Sequence, residues 1–444
     1  MAAMLVSLTI YIIVTIAALR NFALAIGLML SIRILIPSFV RTPILPFSLN
    51  ISICLTMFGI AFLKKIISPH KTITFSNQLY TYIKSYILFL FIILFIPRDL
   101  SLSTQISGWM KIIFIDLIPA ILLCLCVKNK EQIKIVLYFV YGSIFIAGIY
   151  GILSYIIKLN PYIVTLSILY DAPFDYTAIL EEVRGAIQGR TQGTLSHPLV
   201  WGQIINVLLL FLLMIKPYLK KSTFFIFFSI LFLNAILCGS RTILLSALIG
   251  VGLTLLKSSP KKIIQYTVIG LLSAMIALNI ASQNKKYQIY VDTIEATLFF
   301  WNQEKSDNIE IKGSSVELRE KQLAETFRLI QNDLFTGLGQ GWIDNDYQKN
   351  GQHPIMLGFE SIIYRKVIET GLVGFIIWLI FYLRIYQTVS QYTKKNKIRI
   401  NWKIIFFPYL ISLIMTDSFE SFYLFLCLIT LLYLYIKISK EFNQ

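Results

Sequence analysis

Thirteen apolar runs divide this chain, and most of them are long enough to cross a lipid bilayer as an α-helix. A spanning segment must hydrogen-bond every backbone N–H and C=O group internally, and a helix does so within itself. Because several runs are short or closely spaced, a count of twelve spans also fits. The sequence therefore predicts an all-α integral membrane protein, a polytopic bundle of about 12–13 transmembrane helices that forms a single transmembrane domain over residues 1–444. The runs cover residues 3–19, 22–39, 44–63, 80–97, 109–127, 134–157, 197–215, 223–239, 242–256, 263–281, 369–388, 402–416 and 421–436.

The composition excludes an ordinary soluble domain. The chain is 57% hydrophobic and only 14% charged, whereas soluble domains are about 25% charged. The net charge of +17 does not indicate a nucleic-acid partner, because most of the excess Lys and Arg lies in short connections between apolar runs. The partner that this composition requires is the lipid bilayer.

Every second connection is basic from the third run onward. Because connections rich in Lys and Arg stay in the cytoplasm, we expect these loops and the C-terminus to be cytoplasmic. The same alternation assigns the two long connections to the extracytoplasmic side. The basic clusters lie at residues 64–71, 128–134, 216–221, 257–262, 394–399 and 437–440.

The two long connections hold most of the acidic residues. The first extracytoplasmic loop covers about residues 158–196. The second, at 282–356, carries eleven acidic and eight basic side chains between long apolar runs. Charge held in this way beside a membrane favours a site for a charged substrate, and we expect 282–356 to be the catalytic loop.

One helix is predicted within the large loop. Residues 317–332 have helix-forming composition, and Leu323, Phe327 and Ile330 are spaced by four and three. This spacing predicts an amphipathic helix whose apolar residues lie against the bundle. The glycines at 337–341 then predict a turn.

Three arginines on the predicted extracytoplasmic side suit the binding of an anionic group. Arg319 opens the amphipathic helix, Arg241 stands between two apolar runs, and Arg190 lies in a flexible, donor-rich turn just before the seventh run. A planar, permanently charged guanidinium matches phosphate oxygens. Each arginine also has a plain structural alternative: an ion pair with Glu320 for Arg319, a lipid-headgroup contact for Arg241 and an ordinary interfacial turn for Arg190.

His353 is the candidate general base of the large loop. An unperturbed imidazole titrates close to neutral pH, which suits proton transfer. Glu360 follows two helical turns later and is the candidate carboxylate that orients the ring, with Tyr364 a further turn along. The alternative is an inert loop histidine. In the fifth run, Asp116 either pairs with Lys111 or faces a cavity.

Several common catalytic patterns are missing from the sequence. It contains no Walker A motif, no H-E-x-x-H pattern, no Cys/His metal set and no acidic cluster of the kind that binds Mg²⁺. We therefore predict neither a metal nor a cofactor. A transferase on the outer face needs a donor that is already activated and carried by the membrane. A lipid-diphosphate glycan meets this need, because the diphosphate is the leaving group and arginines can neutralise it.

Four motifs carry a family resemblance by their order along the chain. They are Glu317-Leu318-Arg319, the segment Leu329–Gly341 that ends in three alternating glycines, His353, and Val367–Gly374. The upstream segments Ser240-Arg241-Thr242 and 193–198 follow the same pattern. Together, over roughly residues 185–385, they resemble the O-antigen ligase and polymerase superfamily. Pro354 follows His353 where the family pattern has Asn.

The resemblance implies roles for these residues. Arg190, Arg241 and Arg319 would hold the undecaprenyl diphosphate of a lipid-linked glycan donor, and His353 would activate the acceptor hydroxyl. Further candidates are Arg328, His197 and Tyr364. The acceptor would be another glycan or a lipid A core, in the bacterial cytoplasmic (inner) membrane, alongside other polysaccharide-assembly proteins.

Three interpretations stay open beside a polymerase of O-antigen, capsule or exopolysaccharide repeats. One is a ligase that transfers glycan to lipid A core. Another is a membrane scaffold whose loop charges are merely solvated. The third, of a different class, is a polysaccharide flippase, which would concentrate its charges inside the helices along a central path. The concentration of charge in one outer loop favours the enzyme.

Overall fold

The computed structural model describes residues 2–42, 47–67, 78–171, 183–184, 187–256, 316–356, 359, 361–415 and 421–441, and almost all of this part is helical. A two-residue antiparallel ladder pairs β1 (Val183–Arg184) with β2 (Ile187–Gln188) in the first long loop. The helices are α1 (Ala2–Arg20), α2 (Phe22–Leu35), α3 (Leu49–Ile67), α4 (Gln78–Ile92), α5 (Leu102–Ile112), α6 (Ile118–Cys126), α7 (Lys130–Ile157), α8 (Pro161–Leu169), α9 (Pro198–Ile215), α10 (Lys221–Leu237), α11 (Arg241–Leu255), α12 (Val316–Leu329), α13 (Trp342–Asn350), α14 (Ile362–Lys395), α15 (Lys403–Met415) and α16 (Phe422–Glu441).

The predicted membrane bundle is confirmed. Six helical segments are long and apolar enough to cross a membrane, and six shorter apolar helices accompany them in the described part of the chain. Together these correspond to the predicted runs other than 263–281, which lies outside the described residues. The six longer segments are Gln78–Phe95, Leu102–Cys126, Lys130–Ile157, Pro198–Tyr218, Ile362–Lys395 and Phe422–Ser439.

Small residues let neighbouring helices approach closely, as is common in membrane bundles. Where α2 meets α7, a methyl group on Gly27 would lie 2.9 Å from the Phe139 ring. The Ser31 hydroxyl donates to the Phe139 carbonyl at 2.9 Å. Where α7 meets α10, the Asn234 amide donates to the Gly148 carbonyl at 2.9 Å. Polar side chains thus join helices by reaching backbone carbonyls of the neighbouring helix.

An irregular turn stabilises a charge inside the bundle. Ile113–Leu117 is a π-helical turn that joins α5 to α6. Arg33 of α2 is buried and donates to the Phe114 and Ile115 carbonyls of that turn at 3.0 and 2.5 Å. Because a π-turn shifts the helical hydrogen-bond pattern, its carbonyls are available to a neighbouring donor. The costly guanidinium is therefore hydrogen-bonded within the apolar run that it interrupts.

The connections that carry the candidate residues gather at one end of the bundle, the site end. Because each spanning helix runs the length of the bundle, the Lys-rich ends of α9, α10, α14 and α15 lie at the opposite end. These helices therefore alternate as the basic connections predict, while the side of the membrane that each end faces stays a prediction. Four hydrogen bonds join the site end: Thr194 Oγ1 to Ile34 O at 2.7 Å, Thr191 N to Leu237 O at 2.9 Å, Ser412 Oγ to Gln203 Oε1 at 3.1 Å and Ser361 Oγ to Ile414 O at 2.7 Å.

A glycine junction fixes the large loop to the bundle. Helix α14 is broken at Gly371, where φ is +68° and ψ is −177°, and the segment 334–341 runs along the break. A side chain at Gly371 would collide with the Phe335 carbonyl, so only glycine fits. Four hydrogen bonds close the junction: Leu338 N to Ile368 O at 2.7 Å, Gly339 N to Glu369 O at 3.1 Å, Leu372 N to Leu334 O at 3.0 Å and Val373 N to Phe335 O at 3.3 Å.

The two glycine-containing motifs of the sequence, Leu329–Gly341 and Val367–Gly374, therefore pack against each other and together form the glycine junction. Backbone groups left open by the break in α14 are satisfied by the Gly-rich segment, as buried backbone groups must be. The same segment also lies close to α5, where a methyl group on Gly108 would lie 2.5 Å from the Gly341 nitrogen. The glycine junction therefore fixes the positions of α12, α13 and His353 relative to the bundle.

Candidate active site

The polar face of α12, and not its apolar face, lies against the rest of the protein. Gln322, Glu325 and Thr326 are buried, whereas Leu323 and Phe327 are each 43% exposed. The helix itself is confirmed. The prediction that Leu323 and Phe327 face the bundle is wrong, and of the three predicted contacts only Ile330 is buried.

The buried polar face is stabilised by the chain that follows α13. The Gln322 amide donates to the Ile355 carbonyl at 3.2 Å, and the Thr326 hydroxyl lies 3.8 Å from the Met356 sulfur. Buried polar groups need such partners, and once they have them, burial costs little. The polar residues of α12 therefore face inward because the segment after α13 supplies their hydrogen-bond partners.

His353 is held by its own backbone turn. The Ile355 and Met356 amides donate to its Nδ1 at 3.2 and 3.0 Å. A backbone N–H only donates, so Nδ1 accepts, and the proton of the neutral ring lies on Nε2. The ring is half-buried and makes an edge contact with Phe359, with 6.0 Å between ring centroids.

A buried carboxylate faces that proton. Glu325 Oε1 lies 3.4 Å from His353 Nε2, and the same carboxylate binds Arg328 through two contacts of 2.6 and 2.5 Å. The hydrogen bond from Arg328 lowers the pKa of Glu325, against the opposing effect of burial, and the charges of Arg328 and His353 lower it further. Glu325 is therefore an anion within ion-pair distance of the imidazole. Sequence analysis missed it, although its spacing of three from Gln322 and Arg328 marked a polar face.

Arg319 and Tyr364 belong to the same group. The Tyr364 hydroxyl donates to the Arg319 carbonyl at 3.1 Å, and the Arg319 guanidinium donates to Gln322 at 3.3 Å. Because residues 319, 322 and 326 are spaced by three and four, they share the inward face of α12. Four of the predicted site residues are thus brought together by these contacts: Arg319, Arg328, His353 and Tyr364.

Arg190 lies in a second group of residues at the site end. It is buried, packs on Gly239 and donates from Nε to the Cys238 carbonyl at 2.8 Å. The sequence predicts a flexible, donor-rich turn around Arg190, with an ordinary interfacial turn as the alternative. The turn is buried, and its Thr191 hydroxyl donates to the Gly151 carbonyl at 2.8 Å. Two donors of the turn, Arg190 Nε and the Thr191 hydroxyl, therefore bind backbone carbonyls of neighbouring segments.

Arg241 and His197 lie beside this turn. Arg241 is the first residue of α11 and is exposed, directly after the Cys238–Gly239 segment on which Arg190 packs. His197 precedes α9, and its Nδ1 accepts from the Leu199 amide at 3.1 Å. The described contact of His197 is therefore a helix cap.

Gln192 is a buried polar residue that the sequence did not indicate as a candidate site residue. Its side chain is fully buried, and within the described part of the chain neither its amide nitrogen nor its amide oxygen has a hydrogen-bond partner. A buried amide without partners costs about 1–3 kcal/mol. Such a group two residues from Arg190 is suited to bind a polar ligand.

The two groups share the site end but come from different helices. The His353 group is built on α12 and the start of α14, and the Arg190 group on the ends of α9, α10 and α11. That they form one cavity stays a prediction. Glu360 lies outside the described residues, so its role also stays a prediction.

The described ion pair of Lys111 joins α5 to α13. Its ammonium lies 2.7 Å from Asp344, a partner that the sequence analysis did not consider beside Asp116. Burial acts to raise the pKa of Asp344, but the charge and hydrogen bond of Lys111, with the Arg365 charge, hold that pKa below its usual range. Among the residues that the structure describes, no group of three or more His, Cys, Asp and Glu side chains is arranged to hold a metal ion.

Comparison with known proteins yields one finding. Residues 226–379 match the family model described as O-antigen ligase. The match includes the α10–α11 connection with Arg241, α12, the glycine junction and His353. No curated protein matches the chain.

Proposed function

We propose that the chain is a lipid-linked glycan transferase of the O-antigen ligase and polymerase superfamily, because its residues 226–379 match the O-antigen ligase family model. Its donor is an undecaprenyl-diphosphate-linked oligosaccharide, and its product is a longer glycan on the extracytoplasmic face of the membrane. The acceptor is a second lipid-linked repeat, which makes the protein a polymerase.

The contact between His353 and Glu325 is the observation that carries this proposal. A carboxylate facing the N–H of an imidazole, whose other nitrogen accepts, is the arrangement of a general base and its orienting acid. When Nδ1 takes a proton, the imidazolium is stabilised by the anion at Nε2. The Ile355 and Met356 amides must release Nδ1 for this step. Catalytic hydrogen bonds of this kind often form only with substrate bound.

Arg328 is bound by Glu325, whereas Arg319 joins the same group through Gln322 and Tyr364, and we assign binding of the diphosphate to Arg319. Arg190 and Arg241 supply further positive charge at the same end of the bundle. Guanidinium groups stabilise the charge that develops on a departing diphosphate, and in a site shielded from water this stabilisation is large. No metal is needed for this role.

The reaction is a single displacement. The acceptor oxygen bonds to the anomeric carbon of the donor as the bond from that carbon to the diphosphate oxygen breaks. The hydroxyl proton passes to His353 Nδ1, and undecaprenyl diphosphate leaves with the electron pair. Attack opposite the leaving group inverts the anomeric configuration, so the enzyme is an inverting glycosyltransferase.

The test is transfer by the full chain reconstituted in vesicles with a polyprenyl-diphosphate-linked repeat unit. We expect His353→Ala and Arg319→Ala each to lower the rate by at least about 100-fold, as loss of a general base or an oxyanion partner does. Lys321→Ala is the matched control, since Lys321 is an exposed cation on the same helix. Transfer at the wild-type rate in both His353→Ala and Arg319→Ala would defeat the proposal.

The same assay separates the alternatives. Elongation when only lipid-linked repeats are supplied indicates a polymerase, whereas a requirement for lipid A core indicates a ligase. Movement of the glycan across the bilayer without a new glycosidic bond indicates a flippase.

A further inference from the structure

A groove of about 300 Å³ runs between α5 and α13 at the site end. The α5 wall presents the hydroxyls of Ser103, Thr104 and Ser107, which lie on one face because they are spaced by one and three. The α13 wall presents Asn345 and Gln348. The groove is therefore lined mainly by neutral groups that both donate and accept hydrogen bonds.

The polar groups of this groove are available to a ligand. Within the described residues, the side chains of Ser107, Asn345 and Gln348 form no hydrogen bond to the protein. The two charged residues that line the groove, Lys111 and Asp344, form an ion pair with each other, with 2.7 Å between Nζ and Oδ2. The groove thus offers neutral hydrogen bonding and no unbalanced charge.

The walls are held at a fixed separation. At the floor of the groove, Gly341 lies so close to α5 that a methyl group on it would be 3.2 Å from the Gly108 Cα atom and 3.1 Å from the Thr104 carbonyl. The glycine junction anchors the other side of Gly341 to α14. The groove is therefore preorganised, which lowers the entropic cost of binding.

The geometry points to a binding subsite for the neutral, hydroxyl-rich part of a glycan chain, away from the reacting bond. Sugar hydroxyls both donate and accept, and they match hydroxyl and amide side chains without needing a charge. The position fits as well. Trp342 of α13 contacts Phe359, with 6.4 Å between ring centroids, and Phe359 contacts His353, so one short helix separates the groove from the proposed base.

This inference rests on the proposed function, since it names a second part of the glycan donor that the enzyme binds, distant from the diphosphate of that donor. A polymer-forming transferase benefits from such a subsite because it holds the growing glycan between successive transfers. Loss of the subsite should therefore shorten the product while leaving a single transfer possible.

The probe is the repeat-unit oligosaccharide released from the lipid-linked donor by mild acid, which carries neither lipid nor diphosphate. Binding to the full chain in lipid nanodiscs is measured by titration calorimetry. We expect the double variant Asn345→Ala/Gln348→Ala to raise the Kd at least about tenfold, since two hydrogen-bonding side chains are lost. Ser107→Trp, which fills the groove from α5, should abolish binding.

Two controls match these variants. Ile106→Trp adds the same bulk at an exposed neighbouring position outside the groove, and Lys349→Ala removes an exposed polar side chain of α13. Both should bind the oligosaccharide as the wild type does. In the transfer assay, the groove variants should give shorter chains than the controls.

The outcomes separate this inference from the proposed function. His353→Ala should lose transfer and keep oligosaccharide binding. Wild-type affinity in the double variant and in Ser107→Trp would overturn the subsite and leave the transferase untouched. So would a wild-type chain that fails to bind the oligosaccharide while it elongates the lipid-linked donor. Full transfer by His353→Ala would overturn the role of His353 as the base, and absence of transfer by the wild-type chain would overturn the transferase, while oligosaccharide binding in the groove persisted in both cases.

Discussion

Replacing Glu325 by Gln tests the proposed base most directly. The substitution keeps the size of the side chain and one hydrogen-bonding oxygen but removes the negative charge that faces His353. At the observed 3.4 Å, two unit charges attract by about 5 kcal/mol for an effective dielectric constant near 20. Arg328 shares the carboxylate, so the charge felt by an imidazolium is smaller. A loss of about half that energy corresponds to a rate reduction of about 100-fold.

The assay is the transfer rate as a function of donor concentration. Because the imidazolium exists only after proton transfer, Glu325→Gln should lower kcat about 100-fold with little change in KM. Glu325→Asp keeps the charge and should recover part of the rate.

Arg328→Gln is the control that identifies the cause. It breaks the same ion pair from the other side and leaves the Glu325 carboxylate in place. The Arg328 side chain is 67% exposed, so little packing is lost with it. If Glu325 acts through His353, Arg328→Gln should cost far less than Glu325→Gln. Equal losses in the two variants would refute the reasoning, because the carboxylate would then serve only to hold Arg328.

Three further predictions concern stability and the second group of residues. Gly371→Ala should lower the free energy of unfolding by about 3–6 kcal/mol. The backbone conformation at φ +68° and ψ −177° costs a residue other than glycine about 1–3 kcal/mol, and the displaced Phe335 carbonyl disturbs hydrogen bonds worth about 1 kcal/mol each. Thermal unfolding in detergent measures the loss, and Gly142→Ala on α7, where a methyl group meets nothing within 4 Å, should leave stability unchanged or raise it. Gln192→Leu should keep or raise the unfolding temperature, since it removes a buried amide without partners. The same variant should lower the rate of glycan transfer about tenfold, since a hydrogen bond to the substrate is lost. An unchanged transfer rate would show that Gln192 has no part in substrate binding. The pKa of Glu325 is lowered in the folded chain. Its contribution to stability is therefore complete above the usual pKa of a glutamate, about 4.3, and is lost as the pH falls through the lower pKa of the folded state. The unfolding temperature of the wild type should exceed that of Glu325→Gln by a constant margin from pH 8 to about pH 5, and a margin that already shrinks above about pH 6 would contradict this sign.

Much of the fold follows from local sequence. The thickness of a bilayer sets the length of an apolar helix, and the cost of unpaired backbone groups in lipid leaves few alternatives to the helix. For this reason apolar runs alone located the helices, and basic connections alone predicted their alternation. The position of α12 followed similarly from helix-forming composition in a polar loop.

The candidate site was predictable only in part. Arg319 and His353 could be chosen because residue type and motif order mark them. Glu325 could not, since its role depends on a histidine 28 positions later in the sequence being folded back to within 3.4 Å of it. The ion pair between Lys111 and Asp344 was unpredictable for the same reason, because 233 positions separate the two residues in the sequence.

The orientation of α12 shows most clearly what the tertiary structure decided. Its sequence by itself determined a helix with one apolar and one polar face, because side-chain spacing is a local property of the backbone. Which face turns inward depends on what the rest of the protein offers. Here the neighbouring turn offers backbone carbonyls and an imidazole, so the polar face is buried and Leu323 and Phe327 point outward. Periodicity reports which residues share a face, and only long-range contacts decide what that face meets.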